Sequence, residues 1–166
     1  MKAAATSSFR RAAGIPAGRR RASIDRGVYL LDTNVVSELR RIRPHGAVLA
    51  WLQPIDHRLL RLSAVSLGEI QAGIELTRDQ DPGRAAEIER WADEVARTYE
   101  VLPMDTAVFR AWARLMHGRS DTLADDARIA ATAMVHNLIV VTRNVRDFQP
   151  FGVPTLNPFH TTRSER

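Results

Sequence analysis

Acidic residues stand at four places where an apolar run of this chain gives way to polar sequence. Asp32 follows Val28-Tyr29-Leu30-Leu31, Glu69 lies in SLGEI just after the run Leu60 to Val65, and Asp126 heads Asp-Ala-Arg-Ile-Ala-Ala-Thr-Ala. The fourth place is LIVVTRNVRDF, residues 138–148, where an apolar run meets Thr142, Arg143 and Asn144, with Asp147 three residues on. Carboxylates crowded together repel, by about 4 kcal/mol per pair at about 4 Å and an effective dielectric near 20. Such a group either keeps a proton or binds a cation. With only oxygen ligands on offer, the cation is a hard one, Mg²⁺ or Mn²⁺. A metal so held activates water and neutralises charge on a phosphoryl group during transfer.

The elements that would bring these acids together follow from the pattern. Strand-like apolar runs alternate with helix-like periodic segments, which predicts an α/β fold around a mostly parallel sheet. Strands are expected at Val28–Leu31, Leu60–Val65, Tyr99–Met104, Leu138–Val141 and Val153–Leu156. Thr33 is expected to cap a helix running to about Arg41, and Ala47 to Leu52 to form a second short one. Ser66 is expected to cap a helix with Leu67, Ile70 and Ile74 on one face, which puts Glu69 in its first turn. After the turn Asp79-Gln80-Asp81-Pro82-Gly83, the face Ala85, Ile88, Trp91 and Val95 predicts a longer helix, forming an antiparallel hairpin with the one before. Asp105 is expected to cap a helix bearing Val108, Trp112 and Leu115, and Leu123 to His136 to form another. In open parallel sheets ligands bind at the carboxyl ends of strands. Asp32 and Glu69 fall there, and Asp126 joins them if its helix starts at the same edge. Small neighbours support this: Ser66 and Gly73 share a face with Glu69, and Ala130 and Ala133 with Asp126.

Each acid also has a plainer explanation. Asp32 can be a helix cap, Glu69 a first-turn acid favoured by the helix dipole, and Asp125 and Asp126 a pair of N-terminal helix acids. Asp147 can cap the turn into Phe148. Asn144 can orient a metal-bound water or hold Asp32, with Thr33, Asn34 and Thr142 as supporting polar groups. Arg143 can meet a phosphate or balance the acids. The conjunction at matching strand ends favours the metal site.

Composition narrows the field. The 166 residues suit one domain with a real core, and 45% hydrophobic with 26% charged residues is ordinary for a globular protein. The absence of cysteine excludes disulfides, zinc–thiolate sites and thiol catalysis. No apolar run approaches the about 18 residues that span a bilayer, so no membrane partner and a cytoplasmic location are expected. The net charge of +5 is unevenly placed: residues 1–27 hold seven basic side chains against Asp25 alone, and the remainder holds 17 Arg against 18 acids. The basic stretch is expected to be disordered. It reads as a start placed upstream of the true one, an RNA-attracting arm or a targeting segment. The folded domain is expected over 28–159, with fraying over 160–166.

LLDTNVVSEL, SLGEI, DARIAATA and LIVVTRNVRDF, in that order, resemble the PIN-domain proteins, and among them the VapC-type and FitB-like toxins of bacterial toxin–antitoxin pairs. The resemblance covers about residues 28–159. It implies an α/β/α sandwich and a Mg²⁺-dependent single-strand ribonuclease in which Asp32, Glu69 and Asp126 match the first three acids. The family's fourth acidic position falls on Asn144 or Asp147, which leaves a second metal in question. On this reading a metal-activated water attacks an RNA phosphodiester in line, with Asp32 and Asp126 on the metal and Glu69 binding metal or acting as base. Arg40, Arg41, Arg43 and Arg143 are the candidates for RNA contact. The resemblance further implies a homodimer and a small cognate antitoxin whose C-terminal segment covers the acidic edge. Trp51, Trp91 and Trp112 belong to the core or to the dimer interface. The competing reading is a catalytically weak module that mainly binds antitoxin or regulates its own operon. A haloacid-dehalogenase-type phosphatase would need a second Asp where Asn34 stands, no Gly-x-Ser-x-Gly elbow or phosphate loop is present, and the histidines lack metal spacing.

Overall fold

The computed structural model describes residues 27–160; the expectations for the basic extension and for the end beyond residue 160 lie outside the described residues. Five parallel strands form one sheet in the order β3-β2-β1-β4-β5. They are β1 Tyr29–Leu31, β2 Leu60–Ser63, β3 Glu100–Leu102, β4 Ile139–Val141 and β5 Thr155–Leu156. β1 is central, with Tyr29 in register with both Leu60 and Ile139.

Seven α-helices accompany the sheet among the described residues: α1 Thr33–Glu38, α2 Gly46–Leu52, α3 Ala64–Arg78, α4 Pro82–Thr98, α5 Thr106–Met116, α6 Ala124–His136 and α7 Val145–Phe148. The strands alternate faces with a period of two, and both faces are apolar, as a parallel sheet covered on both sides requires. Tyr29, Leu31, Leu60, Leu62 and Val141 pack with residues of α1 to α4. Leu30, Leu102 and Val140 pack on the opposite side with Ala127, Ile129, Ala130 and Ala133 of α6. The result is an α/β/α sandwich. Trp51 and Trp91 pack against the first core and Trp112 against the second.

Helix starts differ from the sequence expectation in an instructive way. Asp32, not Thr33, is the N-cap of α1, and that helix stops at Glu38 rather than near Arg41. Ser63 rather than Ser66 caps α3, its hydroxyl accepting from Val65 N. The chain leaves β2 two residues sooner than Val65, because Ser63 can satisfy the orphan N–H groups of the new helix there. Glu69 is therefore in the second turn of α3, and Ser66 is buried inside the helix. Asp105 caps α5 as expected, accepting from Val108 N at 3.0 Å. α3 and α4 pack together, bridged by Gln71 and Arg78, which both reach Glu89. No helix among the described residues is long and apolar enough to cross a membrane.

Candidate active site

The strand order reverses between β1 and β4, so their carboxyl ends open a crevice where α/β sheets place ligands. Asp32 and Thr142 are the first residues past those two ends. Asp32 N still donates to Val141 O at 2.9 Å, which fixes its backbone to the neighbouring strand. The side chain is only 5% exposed. A carboxylate so buried is tolerated only when donors meet it.

Three donors do. Thr33 N donates to Oδ1 at 2.7 Å, while Asn34 Nδ2 at 2.8 Å and the Thr142 hydroxyl at 2.7 Å both donate to Oδ2. The Thr142 oxygen accepts in turn from Asn34 Nδ2 at 3.2 Å and from Asn144 N at 2.9 Å, so all its capacity is used. Asn34 Oδ1 accepts from Arg143 N at 3.1 Å and ties the loop after β4 into the same network. Burial raises the Asp32 carboxyl above its ordinary range, the bonds from Thr142, Thr33 and Asn34 pull it back, and the charge of Asp147 raises it again.

Glu69 reaches the same edge from α3 and accepts a hydrogen bond from the Thr33 hydroxyl. Its carboxyl is raised, first by burial and then by the charges of Asp32 and Asp125, with Thr33 and Arg128 opposing. Asp126, in the first turn of α6, takes no hydrogen bond or counter-ion among the described residues. Burial, followed by the charges of Asp32, Asp147, Glu69 and Asp125, pushes it up to about 6. Asp125 instead pairs with Arg128, whose guanidinium lies 5.1 Å from the Trp112 ring centre.

Asp32, Glu69, Asp126 and Asp147 thus come together electrostatically. Asn144 does not hold Asp32. Its side chain makes no hydrogen bond among the described residues, and only its backbone N–H enters the network, because the Thr142 hydroxyl already occupies the space at Oδ2. Asp147 lies in the single turn of α7, its N–H donating to Asn144 O at 3.0 Å. Beside it runs a groove of about 510 Å³, lined by Arg143, Asn144, Arg146, Asp147, Asn157 and His160. Among the described residues no three carboxylate or imidazole groups converge tightly enough to cage a metal as they stand. The donor set still fits a hard divalent cation: every group is an oxygen donor, and Asp126 presents an uncompensated carboxylate to its acidic neighbours.

Sequence reasoning passed over three residues near this edge. Glu38 is 3% exposed and accepts from His45 N at 2.8 Å, with Arg41 Nε at 3.3 Å and Arg143 at 3.9 Å. Its signal was the spacing of three from buried Val35, which puts both on one helix face. Asn157 donates to Arg143 O at 3.2 Å, and Phe159 lies under the Arg143 guanidinium. The sequence offered no pairing rule that would have found these two.

Known proteins share this frame. The PIN domain model matches residues 29–151. Toxin FitB of Neisseria gonorrhoeae is 34% identical over 142 residues, covering 80% of this chain and 99% of FitB. The VapC ribonuclease Y4jK of Sinorhizobium fredii is 35% identical over 141 residues, covering 80% and 98%. A solved structure of FitAB bound to the IR36 DNA fragment superposes with a TM-score of 0.70 at 30% identity, over 82% of this chain and 99% of that one. The family match runs from Tyr29 of β1 through Phe151, covers β1 to β4 and takes in Asp32, Glu69, Asp126 and Asp147, so the chain belongs to the PIN-domain family.

Proposed function

We propose that this protein is a Mg²⁺-dependent endoribonuclease that acts as the toxin of a toxin–antitoxin pair, with Mn²⁺ as a possible substitute. The observation that carries the reading is the Asp32 carboxylate. It is buried at the end of the central strand, held by three donors, and surrounded by acids that raise one another's pKa. Relatives matched over nearly their whole length are named as a toxin and a ribonuclease.

Asp32, Asp126 and Glu69 would hold the cation, with Asp147 within electrostatic reach. When bound, the cation would supply charge neutralisation at the phosphate and a lowered pKa for water. Thr142 and Asn34 keep Asp32 in one orientation. Glu69 is suited to accept a proton, since a raised carboxyl is a better base near neutral pH. Its bond from Thr33 aims one oxygen and leaves the other open. Arg143 and Arg146 line the adjoining groove and offer positive charge to an RNA backbone that the acids alone would repel.

The rival reading, a catalytically weak module for antitoxin binding or autoregulation, draws on Asn144 standing where the family has an acid. Asp147 weakens that rival, because its charge acts on both Asp32 and Asp126. The acidic edge also suits a basic antitoxin segment covering it, and homodimerisation completes the partner reading; light scattering of the purified chain tests the latter.

The deciding experiment compares the wild type with Asp32→Asn on single-stranded RNA in Mg²⁺ and in EDTA. Cleavage is expected only for the wild type in Mg²⁺, with unchanged circular dichroism for the variant. Cleavage by Asp32→Asn, or by the wild type in EDTA, would overturn the assignment.

A further inference from the structure

Arg143 is fixed at both its main chain and its side chain, yet its hydrogen-bonding fork is unused. Its N–H donates to Asn34 Oδ1 at 3.1 Å, and its carbonyl accepts from Asn157 Nδ2 at 3.2 Å. The guanidinium carbon stands 3.9 Å from the centre of the Phe159 ring. Phe159 is itself set by Asn157, whose Oδ1 accepts from Phe159 N at 2.9 Å, and its ring meets that of His45 at 5.4 Å. Buried Glu38 lies 3.9 Å from the guanidinium, too far for a hydrogen bond, and is already engaged by His45 N and Arg41. The Arg143 side chain, half exposed, therefore donates to no acceptor among the described residues.

Arg58 turns its N–H groups onto Asp56 and Arg78 onto Glu75, whereas Arg143 comes no nearer than 3.9 Å to Glu38. Arg143 instead stands over an aromatic ring, its guanidinium carbon 3.9 Å from the ring centre, which restricts its rotamers and leaves its N–H donors without an acceptor among the described residues. Arg143 lines the groove of about 510 Å³ together with Asp147 and Arg146. A planar fork with free donors in a groove beside an acidic site suits the two non-bridging oxygens of a phosphodiester.

We propose that Arg143 binds a backbone phosphate of the single-stranded RNA next to the one that is cut, and that Phe159 and Asn157 are positioning residues for it. The C-terminal segment after β5 is on this account part of the substrate-binding edge. The proposal rests on the endoribonuclease reading, and its test keeps the two apart.

Binding of a short fluorescent single-stranded RNA to the full-length chain is measured in EDTA, where the proposed cleavage is off, across a range of salt. Arg143→Ala is expected to weaken binding about tenfold and to reduce the magnitude of the salt slope by about 0.7. Arg143→Lys is expected to keep the slope but recover only part of the affinity, since a point charge cannot make the paired contact. Phe159→Leu keeps apolar cover and removes the ring face; it is expected to weaken binding about threefold at unchanged slope. Steady-state cleavage in Mg²⁺ is expected to show these losses mainly in KM. Thermal midpoints report folding separately. Wild-type affinity and slope in Arg143→Ala would overturn the phosphate contact. Wild-type affinity in Phe159→Leu would overturn the positioning role, and full recovery by Lys would overturn the fork geometry. If the wild type binds RNA but never cuts it, the nuclease reading fails while the binding results still decide the role of Arg143.

Discussion

The Thr142 hydroxyl stands 2.7 Å from Oδ2 of Asp32 and joins the ends of two neighbouring strands across 110 residues of sequence. Replacing Thr142 by Val keeps the shape, removes that donor, leaves Asn34 Nδ2 with Asp32 Oδ2 as its one remaining acceptor among the described residues, and deprives Asn144 N of its acceptor. Loss of a group that orients a metal ligand typically costs about 10–100-fold, and unsatisfied buried polar groups cost about 1–3 kcal/mol. Thr142→Val is thus expected to cut RNA cleavage by about 10–100-fold at saturating Mg²⁺ and to lower the urea midpoint, with Thr142→Ser restoring both. Wild-type cleavage in the Val variant would show that Asp32 is held well enough by Thr33 and Asn34 alone.

Asp126 makes the metal-free protein sensitive to pH. Its folded carboxyl is raised from 3.8 to about 6, so between those values the folded state keeps a proton that the unfolded chain has lost. Stability from this group is complete below the unfolded value and is lost as pH rises through the folded one. Asp32 and Glu69 are raised as well and act in the same direction. In EDTA, Asp126→Asn is expected to be more stable than the wild type at pH 7 by about 1 kcal/mol, a figure discounted for partial solvation, and to converge with it near pH 4. Urea titrations at both pH values measure the difference. An equal gap at both would mean that neither burial nor the neighbouring acids raise the Asp126 carboxyl.

The ends of β1 and β4 were legible in the sequence because a parallel sheet buried on both faces leaves a strong apolar signal that stops abruptly at Asp32 and Thr142, whereas β2 and β3 end two residues before the expected Val65 and Met104. Helix starts were less legible. Ser63 and Ser66 are equally good caps in isolation, and only the length of β2 decides between them. Asn144 is a candidate to hold Asp32 or orient a water because it lies next to a strand end, whereas only its backbone N–H enters the network around Thr142. The contacts of Arg143 with Phe159 and of Glu38 with His45 N join segments that no local rule pairs.

Ser66 carries a small cost of this arrangement. It is fully buried on α3, one turn before Glu69, and its Oγ has no hydrogen-bond partner among the described residues. An unsatisfied buried hydroxyl is unfavourable, so Ser66→Ala is expected to be neutral or to stabilise by up to about 1 kcal/mol, with RNA cleavage unchanged. A chemical denaturation midpoint checks the first part. A clear loss of stability would mean that the hydroxyl is engaged in solution, for instance through water.

Metal binding should compete with protons at the same carboxyls. A cation that needs Asp126 ionised must displace its proton when the pH is below about 6. If one proton is displaced, the apparent Mg²⁺ affinity falls about tenfold for each pH unit below that point and is nearly flat above it. Binding to the folded state alone also raises stability, by about 2.7 kcal/mol at a hundredfold excess over Kd. The Mg²⁺-induced rise in thermal midpoint is therefore expected to be large at pH 7.5 and small at pH 5, and to vanish in Asp32→Asn. Calorimetry in buffers of different ionisation enthalpy should register the released proton at pH 5.5 and little release at pH 7.5. A rise independent of pH, or one that survives in Asp32→Asn, would place the cation away from these acids and remove the main support for Asp126 as a ligand.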